Sequence, residues 1–491
     1  IRCIQLRKEG ETMNYDEDDY DYDIDLLEEV EDTVSEADLP AFVREYERVA
    51  TSYSRQNNIP AIISYYSILG NLVQDMIEIP YETTTIDTRV HFCWIQTART
   101  GKTTLLDYVC TPLAKEIFKE LRMENRRAIK IADYNTASLI GSHSENKLYK
   151  ADAEQKHLEQ TNTLTQQYEE NEIEQDEYIT RTEAADKKLK DTKDEHTVHF
   201  GPLHGVGIWM ADEFESSGIF KSRQHKENMN VLFQTMMNNF HNGSNLYEKQ
   251  LTGKAIIPLD SRFTMIASTF PPEDLRKTIT DKGILQRFLP FIWEVPDDLV
   301  TSMRTSVITG FGKVSEKRGP PLYLKKGFIK IYKMVEERFA AVGEDRLAVI
   351  EYDPAARDCL HMEYNNILKY ISDVSPRHRR IIRLFEMNLV EYISKLAVLS
   401  TITMAPAVND ESKRWTVYPQ NIRQGAYIIR QCYMTLVDWL VESIKEDAAS
   451  LKQKSDLKFF QQAYEQALNV AKPSEKLDGV YVHKELFLTE A

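Results

Sequence analysis

Cysteine is scarce in this sequence, and the few cysteines are scattered. Five occur in 491 residues, and no pair has the C-x-x-C spacing of a zinc site or a redox motif. The eleven histidines include no H-x-x-x-H pair, and we expect His196 and His199 to lie in a strand rather than on a metal. These absences argue against a zinc site and a disulfide framework and predict a reducing, cytoplasmic compartment.

Long apolar runs are also missing. No run approaches the roughly 18 residues that a membrane-spanning helix needs, so we expect no membrane association. The first residues carry no apolar core of a signal peptide. They also lack an initiator Met; Met13 offers a start, and residues 1–12 are then either the end of a fragment or a misplaced start. Hydrophobic residues nevertheless make up 42% of the chain, which is ordinary for a globular protein, and the length allows about two to four domains.

Basic residues are outnumbered, and the acidic excess is concentrated in two segments. The net charge is −16; residues 13–43 contain thirteen Asp and Glu with no Lys or Arg, and residues 145–195 carry a net charge of −7. The rest of the chain is at about +4, so it can meet a phosphate backbone without being required to. The acidic N-terminus is predicted to be disordered; it is either a solvated tail or an arm that binds a basic partner or mimics the charge of DNA.

The strongest motif follows a short, mostly apolar run. Val90 to Ile95 has strand character, and it leads into Gln96-Thr97-Ala98-Arg99-Thr100-Gly101-Lys102-Thr103-Thr104 and then into apolar residues at helical spacing. A strand, a tight loop and a helix are the context of a phosphate-binding loop, or Walker A motif. Backbone N–H groups would face the phosphates, Lys102 would reach the β and γ oxygens, and the Thr103 hydroxyl would bind Mg²⁺.

Gln96 departs from this pattern, because G-x-x-x-x-G-K-[ST] has glycine at that position. Glycine there serves the turn, so another residue fits if its φ is negative. The competing interpretation is an ordinary turn with an exposed lysine, which does not account for the motifs downstream.

Two carboxylates at the end of a second apolar run match the Walker B arrangement. Gly205 to Ala211 predicts a strand, and Asp212 and Glu213 follow it. Asp212 would hold Mg²⁺, and Glu213 would orient and deprotonate an attacking water. A third predicted strand ends in Ser268 and Thr269, where one hydroxyl is either a polar sensor near the γ-phosphate or a cap of the next helix.

A single arginine stands in a later apolar stretch. Arg287, which we place just past the last core strand, fits an arginine finger that stabilises charge on the transferred phosphoryl group. The alternative is a structural ion pair with Glu294 or Asp281.

The chain order predicts an α/β core between helical regions. The predicted regions are the acidic tail (1–38), an N-terminal helical segment (39–85), a P-loop core (86–300) with a charged helical insertion (145–196), and a C-terminal all-α domain (301–491). The insertion should be a helical hairpin or an antiparallel coiled coil, serving either as a solvated spacer or as a subunit or partner contact.

Other basic segments allow two interpretations each. Residues 244–257 predict a β-hairpin with Lys249 and Lys254, which is either a plain connection or a loop that touches DNA. Basic clusters at 313–326 and 377–383 either contact phosphates or form solvated faces.

Taken in order, these residues resemble the helicase-like ATPase region of phage and mobile-element primase–helicases, in the RecA-like/AAA+ part of the P-loop class. The likeness covers roughly residues 38–442 and rests on Pro60–Gly70, Gly101-Lys102-Thr103, Asp133–Gly141, the charged insertion, Trp209–Glu213, Gly283–Phe288 and Tyr392–Ala397. Ser268 departs from it, because such families often have Asn there. The sequence shows no primase-like cluster of carboxylates, so priming would belong to another chain.

The resemblance implies a RecA-like/AAA+ P-loop NTPase that hydrolyses ATP with Mg²⁺ as a motor of replicative DNA helicase type. It would translocate on single-stranded DNA in phage or mobile-element replication, in the host cytoplasm if the chain is viral. It implies a homo-oligomer, expected as a ring, with ATP at a subunit interface that Arg287, Arg99 or Arg276 completes in trans, and with a replication partner for the acidic tail. The alternatives are an ATP-binding replication-initiation or scaffold protein with poor hydrolysis, and a DNA-packaging or partition ATPase. A packaging motor would usually add a nuclease domain with clustered Asp residues, which this sequence does not show.

Overall fold

A computed structural model describes most of the chain between residues 35 and 439. The described residues are 35–54, 58–96, 101–130, 139, 141–145, 147–170, 172–193, 196–212, 214, 232–233, 236–239, 246–250, 256–270, 285–293, 295–309, 319–372, 376–404 and 414–439. Several sequence predictions lie outside them: the acidic tail before residue 35, the loop residues Thr97 to Thr100, most of the segment 133–141, Glu213, Lys254, Arg276, Asp281, Glu294 and the basic residues at 313–318.

Strands and helices alternate through the middle of the chain. The strands are β1 Ile79–Tyr81, β2 Thr84–Ile86, β3 Phe92–Gln96, β4 Arg126–Ile129, β5 Gly141–Glu145, β6 His196–Phe200, β7 Gly205–Ala211, β8 Leu246–Gln250, β9 Ile256–Thr269, β10 Leu289–Trp293, β11 Ile350–Tyr352 and β12 Trp415–Val417. The helices are α1 Ala41–Ser54, α2 Asn58–Val73, α3 Lys102–Leu105, α4 Thr111–Glu120, α5 Lys147–Glu169, α6 Gln175–Lys193, α7 Asp297–Thr309, α8 Leu322–Ala341, α9 Pro354–Ser372, α10 Pro376–Met404 and α11, residues 419–439. A π-helical turn, Leu106–Cys110, joins α3 to α4.

Five of these strands form one parallel sheet in the order β10-β3-β9-β7-β4, and β8 pairs antiparallel with the first part of β9. After β3 the chain crosses to β4 at the far side, returns through β7 and β9, and passes over β3 to β10. Because the five strands run in one direction, their carboxyl ends meet at one edge, here called the carboxyl edge, and their amino ends at the other, the amino edge. The predicted α/β arrangement is present, and it is compatible with a RecA-like core.

The three strands that the sequence motifs depend on are confirmed. The run before the loop forms β3, the run before the acidic pair forms β7, and the run ending in hydroxyl residues is the second half of β9. Each is buried along most or all of its described length, which explains why all three read as continuous apolar runs in the sequence.

Helix α2 packs against this sheet and is buried from Ile59 to Val73, as its apolar sequence predicts. The amide of Asn71 donates to the carbonyl of Gly207, 2.7 Å away, and to the hydroxyl of Thr264, 3.0 Å away. These bonds join α2 to β7 and β9 and satisfy polar groups in the core.

The charged insertion forms a helical hairpin, as its composition predicts. Leu164 and Ala185 are buried between α5 and α6, the rings of Tyr168 and Tyr178 stack 5.0 Å apart, and most of the other described side chains are exposed. Antiparallel strands β5 and β6 carry this hairpin at its base, and the predicted strand at His196 and His199 is β6.

Both the predicted N-terminal helical segment and the C-terminal region predicted to be all-α also contain a pair of short strands. The segment assigned to 39–85 ends in the antiparallel hairpin of β1 and β2, whose turn holds Glu82 at φ 54°. The region after residue 301 contains the parallel pair β11 and β12. Both pairs have three residues per strand, which is too short for the periodicity of a strand to show in a sequence. Among the described residues, no helix is both long and apolar enough to cross a membrane.

Candidate phosphate and metal site

The phosphate-binding loop predicted from the sequence joins the carboxyl edge to a helix. Gln96 is the last residue of β3, Gly101 has φ 90°, and α3 begins at Lys102. Gly101 thus adopts a left-handed conformation directly before the helix, and glycine adopts this conformation without strain. The side chain of Gln96 is buried, and it accepts a hydrogen bond from the Trp94 indole at 2.5 Å, so glutamine is accommodated at the strand end.

The ammonium group of Lys102 lies between the ends of two neighbouring strands. It donates to the backbone carbonyl of Gln96 and to that of Thr269, the latter at 2.9 Å, and it is 4.5 Å from the centre of the Phe270 ring. The residue is only 7% exposed. A buried cation among carbonyl oxygens and an aromatic face suits an anionic ligand at this edge.

Asp212 comes directly after β7, and two hydroxyl groups from other elements converge on its carboxylate. Thr103 Oγ donates to Oδ2 at 2.8 Å, and Ser268 Oγ donates to Oδ1 at 2.5 Å. Since β9 lies between β3 and β7 in the sheet, its end brings Ser268 to the gap between the loop and the acidic strand. Ser268 is one of the two hydroxyl residues considered from the sequence, and the structure places it against Asp212.

Lys130 also belongs to this cluster, although the sequence did not single it out. It follows β4, and its ammonium lies 2.7 Å from Asp107 Oδ1 and 3.7 Å from Asp212 Oδ2. β4 ends at Ile129, so Lys130 is the first residue after this strand. Lys130 is therefore free to turn toward the carboxyl edge, and the only sequence signal for it was a lysine at the end of a short strand.

The carboxyl edge thus offers two lysines, two hydroxyls and the carboxylate of Asp212 within one small region. Among the described residues, no group of three or more His, Cys, Asp or Glu is placed to hold a metal ion. The set Thr103, Asp212 and Ser268 nevertheless suits Mg²⁺ bound to a nucleotide, because Mg²⁺ takes oxygen ligands, keeps several waters and is held by one or two carboxylates together with substrate phosphates. Thr104, half-buried, follows in the same helical turn. Glu213 and residues 97–100 are outside the described part of the chain.

Arg287 is not brought to this site within the chain, and its predicted position is wrong. It lies before β10 rather than after the last core strand, in a short 3-10 turn at the amino edge. Its Nε donates to the side-chain oxygen of Asn238 at 3.0 Å, and its backbone carbonyl accepts from the Tyr392 hydroxyl at 2.6 Å. Partial burial lowers the pKa of its guanidinium. Since Leu289 pairs with Phe92 at the start of β3, the whole length of β3 separates Arg287 from the loop.

A buried ionic cluster occupies the amino edge, and no sequence pattern predicted it. Arg89 and Asp87 form an ion pair at 2.7 Å, and the Lys395 ammonium lies 3.6 Å from Asp87 and 2.9 Å from Glu391. The first three side chains are at most 2% exposed. Burial alone would raise the pKa of Asp87, but the charges of Arg89 and Lys395 outweigh it and hold this pKa well below its usual range. The cluster fixes the start of β3, so it supports the site from the opposite edge.

Comparison of the sequence with protein-family models and with curated proteins finds no match. The function must therefore be argued from the residues at the carboxyl edge.

Proposed function

We propose that the chain binds ATP with Mg²⁺ at the carboxyl edge and hydrolyses it. The observation that carries this proposal is the 2.8 Å contact between the hydroxyl of Thr103 and the carboxylate of Asp212, which come from the loop helix and from the strand of the acidic pair. In open α/β sheets, ligands bind outside the carboxyl ends of the strands. Had these two side chains lain on different faces of the sheet, they would have had no ligand to share.

Each residue then has a defined task. Lys102, already positioned between the ends of β3 and β9, contacts the β- and γ-phosphates. Thr103 and Asp212 hold Mg²⁺, which when bound screens the phosphate charge and polarises the phosphoryl group. Ser268 donates to Asp212 and fixes the orientation of its carboxylate. Glu213, the next residue in the sequence, takes the proton of the attacking water, and the products are ADP and phosphate.

We infer further that this ATPase is a DNA motor of replicative helicase type. The support is the resemblance of the motif order to phage and mobile-element primase–helicases, together with a chain whose net charge is about +4 outside its two acidic segments. The position of Arg287 at the amino edge favours an assembly, expected as a ring, in which an arginine of one subunit completes the site of the next. An arginine supplied in trans stabilises charge in the transition state of phosphoryl transfer.

The experiment measures ATP turnover with and without single-stranded DNA for the wild-type chain and for Lys102→Met. Lys115→Met is the matched control, because Lys115 is an exposed lysine on α4, a continuation of the same helical segment. We expect turnover that single-stranded DNA stimulates, its loss in Lys102→Met, and no change in Lys115→Met. Strand displacement on a forked duplex then separates a helicase from a packaging or partition ATPase.

Two outcomes would oppose this proposal. ATP binding without turnover, with or without DNA, supports the initiation or scaffold alternative. Full turnover in Lys102→Met rules out the carboxyl edge as the place of hydrolysis.

A further inference from the structure

Lys130 contacts the candidate metal site at the atom where a metal would bind. Its ammonium is 3.7 Å from Asp212 Oδ2, and this same oxygen accepts the hydrogen bond from Thr103. Thr103 and Asp212 are the proposed Mg²⁺ ligands, so the lysine approaches the oxygen that the cation would use. A lysine ammonium and a divalent cation cannot both lie against one carboxylate oxygen without strong repulsion.

A second carboxylate is placed to receive this ammonium. Lys130 hydrogen-bonds to Asp107 Oδ1 at 2.7 Å, and Asp107 lies on the π-helical turn that follows α3. Asp107 and Lys130 are about one-third exposed, whereas Asp212 is 12% exposed. The lysine therefore has a solvent-side partner on one side and the more buried metal ligand on the other, and its flexible stem lets the ammonium move between them.

We propose that Lys130, whose ammonium bridges Asp107 and Asp212, partly neutralises Asp212 until a divalent cation arrives, and that Asp107 then holds the ammonium alone. Lys130 is a positioning residue in this scheme, because it acts through Asp212 and is not itself a metal ligand. Asp107 sets how readily the lysine withdraws and hence how readily the site admits the metal. This inference rests on the proposed nucleotide–metal site.

The test is a titration of the full-length chain with Mn²⁺ in the presence of a saturating non-hydrolysable ATP analogue, because the proposed site holds the metal together with phosphates; electron paramagnetic resonance separates protein-bound Mn²⁺ from the Mn²⁺–analogue complex in solution. Lys130→Gln removes the competing cation, so Mn²⁺ should bind roughly tenfold more tightly, the scale expected of a charge a few ångströms away in a partly exposed site. Lys130→Arg keeps the charge and should behave like the wild type. Lys115→Gln, which removes an exposed lysine from α4, should change nothing.

Asp107→Asn distinguishes a specific exchange from a general effect of charge. It should weaken Mn²⁺ binding several-fold, because Lys130 then loses the carboxylate that it hydrogen-bonds and stays closer to Asp212. In the double variant Lys130→Gln/Asp107→Asn this weakening should largely disappear, since Asp107 acts through Lys130. If Asp107→Asn weakens binding equally in both backgrounds, the carboxylate acts only by its charge and the inference is wrong.

Asp212→Asn separates this inference from the proposed function. We expect it to abolish specific Mn²⁺ binding. If it does so while the Lys130 and Asp107 variants match the wild type, the exchange is refuted and the metal site stands. If Asp212→Asn leaves Mn²⁺ affinity unchanged, the metal does not bind at Asp212, and both the exchange and the proposed metal ligands fall.

Discussion

Thr103 and Asp212 are 109 positions apart in the sequence, and the hydroxyl of the first donates to the carboxylate of the second across 2.8 Å. This contact joins α3, the helix that follows β3 in the chain, to the end of β7, although β9 lies between β3 and β7 in the sheet. We expect Thr103→Ala to raise the Mg²⁺ concentration needed for half-maximal ATP turnover by at least about tenfold. This is the lower end of the loss in metal affinity when a group that supports a metal is removed. Turnover measured over a range of Mg²⁺ concentrations provides the check. Thr103→Ser keeps the hydroxyl and should retain most of the activity; equal losses in both variants would contradict the assigned role.

Ser268 is a separate test of the same carboxylate, because it donates to the other oxygen of Asp212 at 2.5 Å. Ser268→Ala leaves Thr103 and Lys102 in place, so we expect the maximal rate to fall about tenfold or more with little change in the KM for ATP. Ser268→Thr preserves the donor and serves as the control. A rise in the KM for ATP with an unchanged maximal rate would show that Ser268 supports ATP binding rather than the geometry of the metal ligand.

Arg287 lies at the amino edge, so its removal should leave nucleotide binding by its own chain intact. In a ring where it acts in trans, Arg287→Ala alone should lose most turnover, and so should Lys102→Ala alone. Mixing the two variants should restore part of the activity, because some interfaces then combine an intact Lys102 with an intact Arg287. Turnover of the mixture is the measurement.

The control for this complementation is a mixture of Lys102→Ala with Asp212→Asn. These residues belong to one site in one chain, so no interface in that mixture is complete. Recovery there, or no recovery in the Arg287 mixture, would exclude the role in trans.

The buried ring of His91 predicts a pH dependence of stability. Burial, with the nearby charges of Arg89 and Lys395, lowers the pKa of this imidazole well below 6.5. The unfolded chain therefore binds one proton more than the native chain at pH values below about 6.5, and the free energy of unfolding should fall as pH falls, by up to about 1.4 kcal/mol per pH unit from this group. The low pKa of Asp87 adds its own loss only below about pH 4, outside the window of pH 7 to 5 that urea denaturation would cover.

His91→Asn isolates this contribution. The ring Nδ1 accepts a hydrogen bond from the backbone N–H of Met265 at 3.2 Å, and the side-chain oxygen of Asn can accept in its place. The variant should show a smaller change in stability between pH 7 and 5 than the wild type. An unchanged slope would assign the acid sensitivity to other groups.

Lys395 tests the cluster at the amino edge. Lys395→Met removes one cationic partner of Asp87 and of Glu391, and it also removes the ammonium that donates to the carbonyl of Arg89 at 3.1 Å. Removing one partner of a buried ionic cluster costs about 3 kcal/mol or more, which the midpoint of urea denaturation would report. Lys333→Met, an exposed lysine on α8, should leave the midpoint unchanged. No difference between the two variants would mean that the cluster does not stabilise the native chain.

The sequence predicted the parts of the fold that depend on local pattern. β3, β7 and the end of β9 are continuous apolar runs, and Gly101-Lys102-Thr103 needs only a strand before it and a helix after it. Because β3, β7 and β9 are parallel, their carboxyl ends meet at one edge of the sheet. The sequence could therefore predict that Lys102, Thr103 and Ser268 lie close together. The roles of these residues remain predictions until they are tested.

The rest depends on contacts between distant positions. Arg126 is the first residue of β4, and its buried guanidinium forms an ion pair with Asp75 at 2.7 Å. An apolar sequence pattern cannot predict such a pair. Lys130 became part of the site only because β4 ends beside β7. Lys395 donates to the carbonyl of Arg89, 306 residues away in the sequence. Arg287 lies at the amino edge because it belongs to a 3-10 turn that precedes β10.

The hydroxyl of Tyr392 has a mechanical consequence. It lies within hydrogen-bonding distance of the carbonyl oxygens of His91 and Arg287, at 3.3 Å and 2.6 Å, and so joins the segments that immediately precede two adjacent strands, β3 and β10, to α10. If the proposed function holds, a displacement at the carboxyl edge would be transmitted along β3 and β10 to α10 through this hydroxyl. The C-terminal helices would then move together with the sheet, so that a small motion at the phosphates would become a larger motion far from the site.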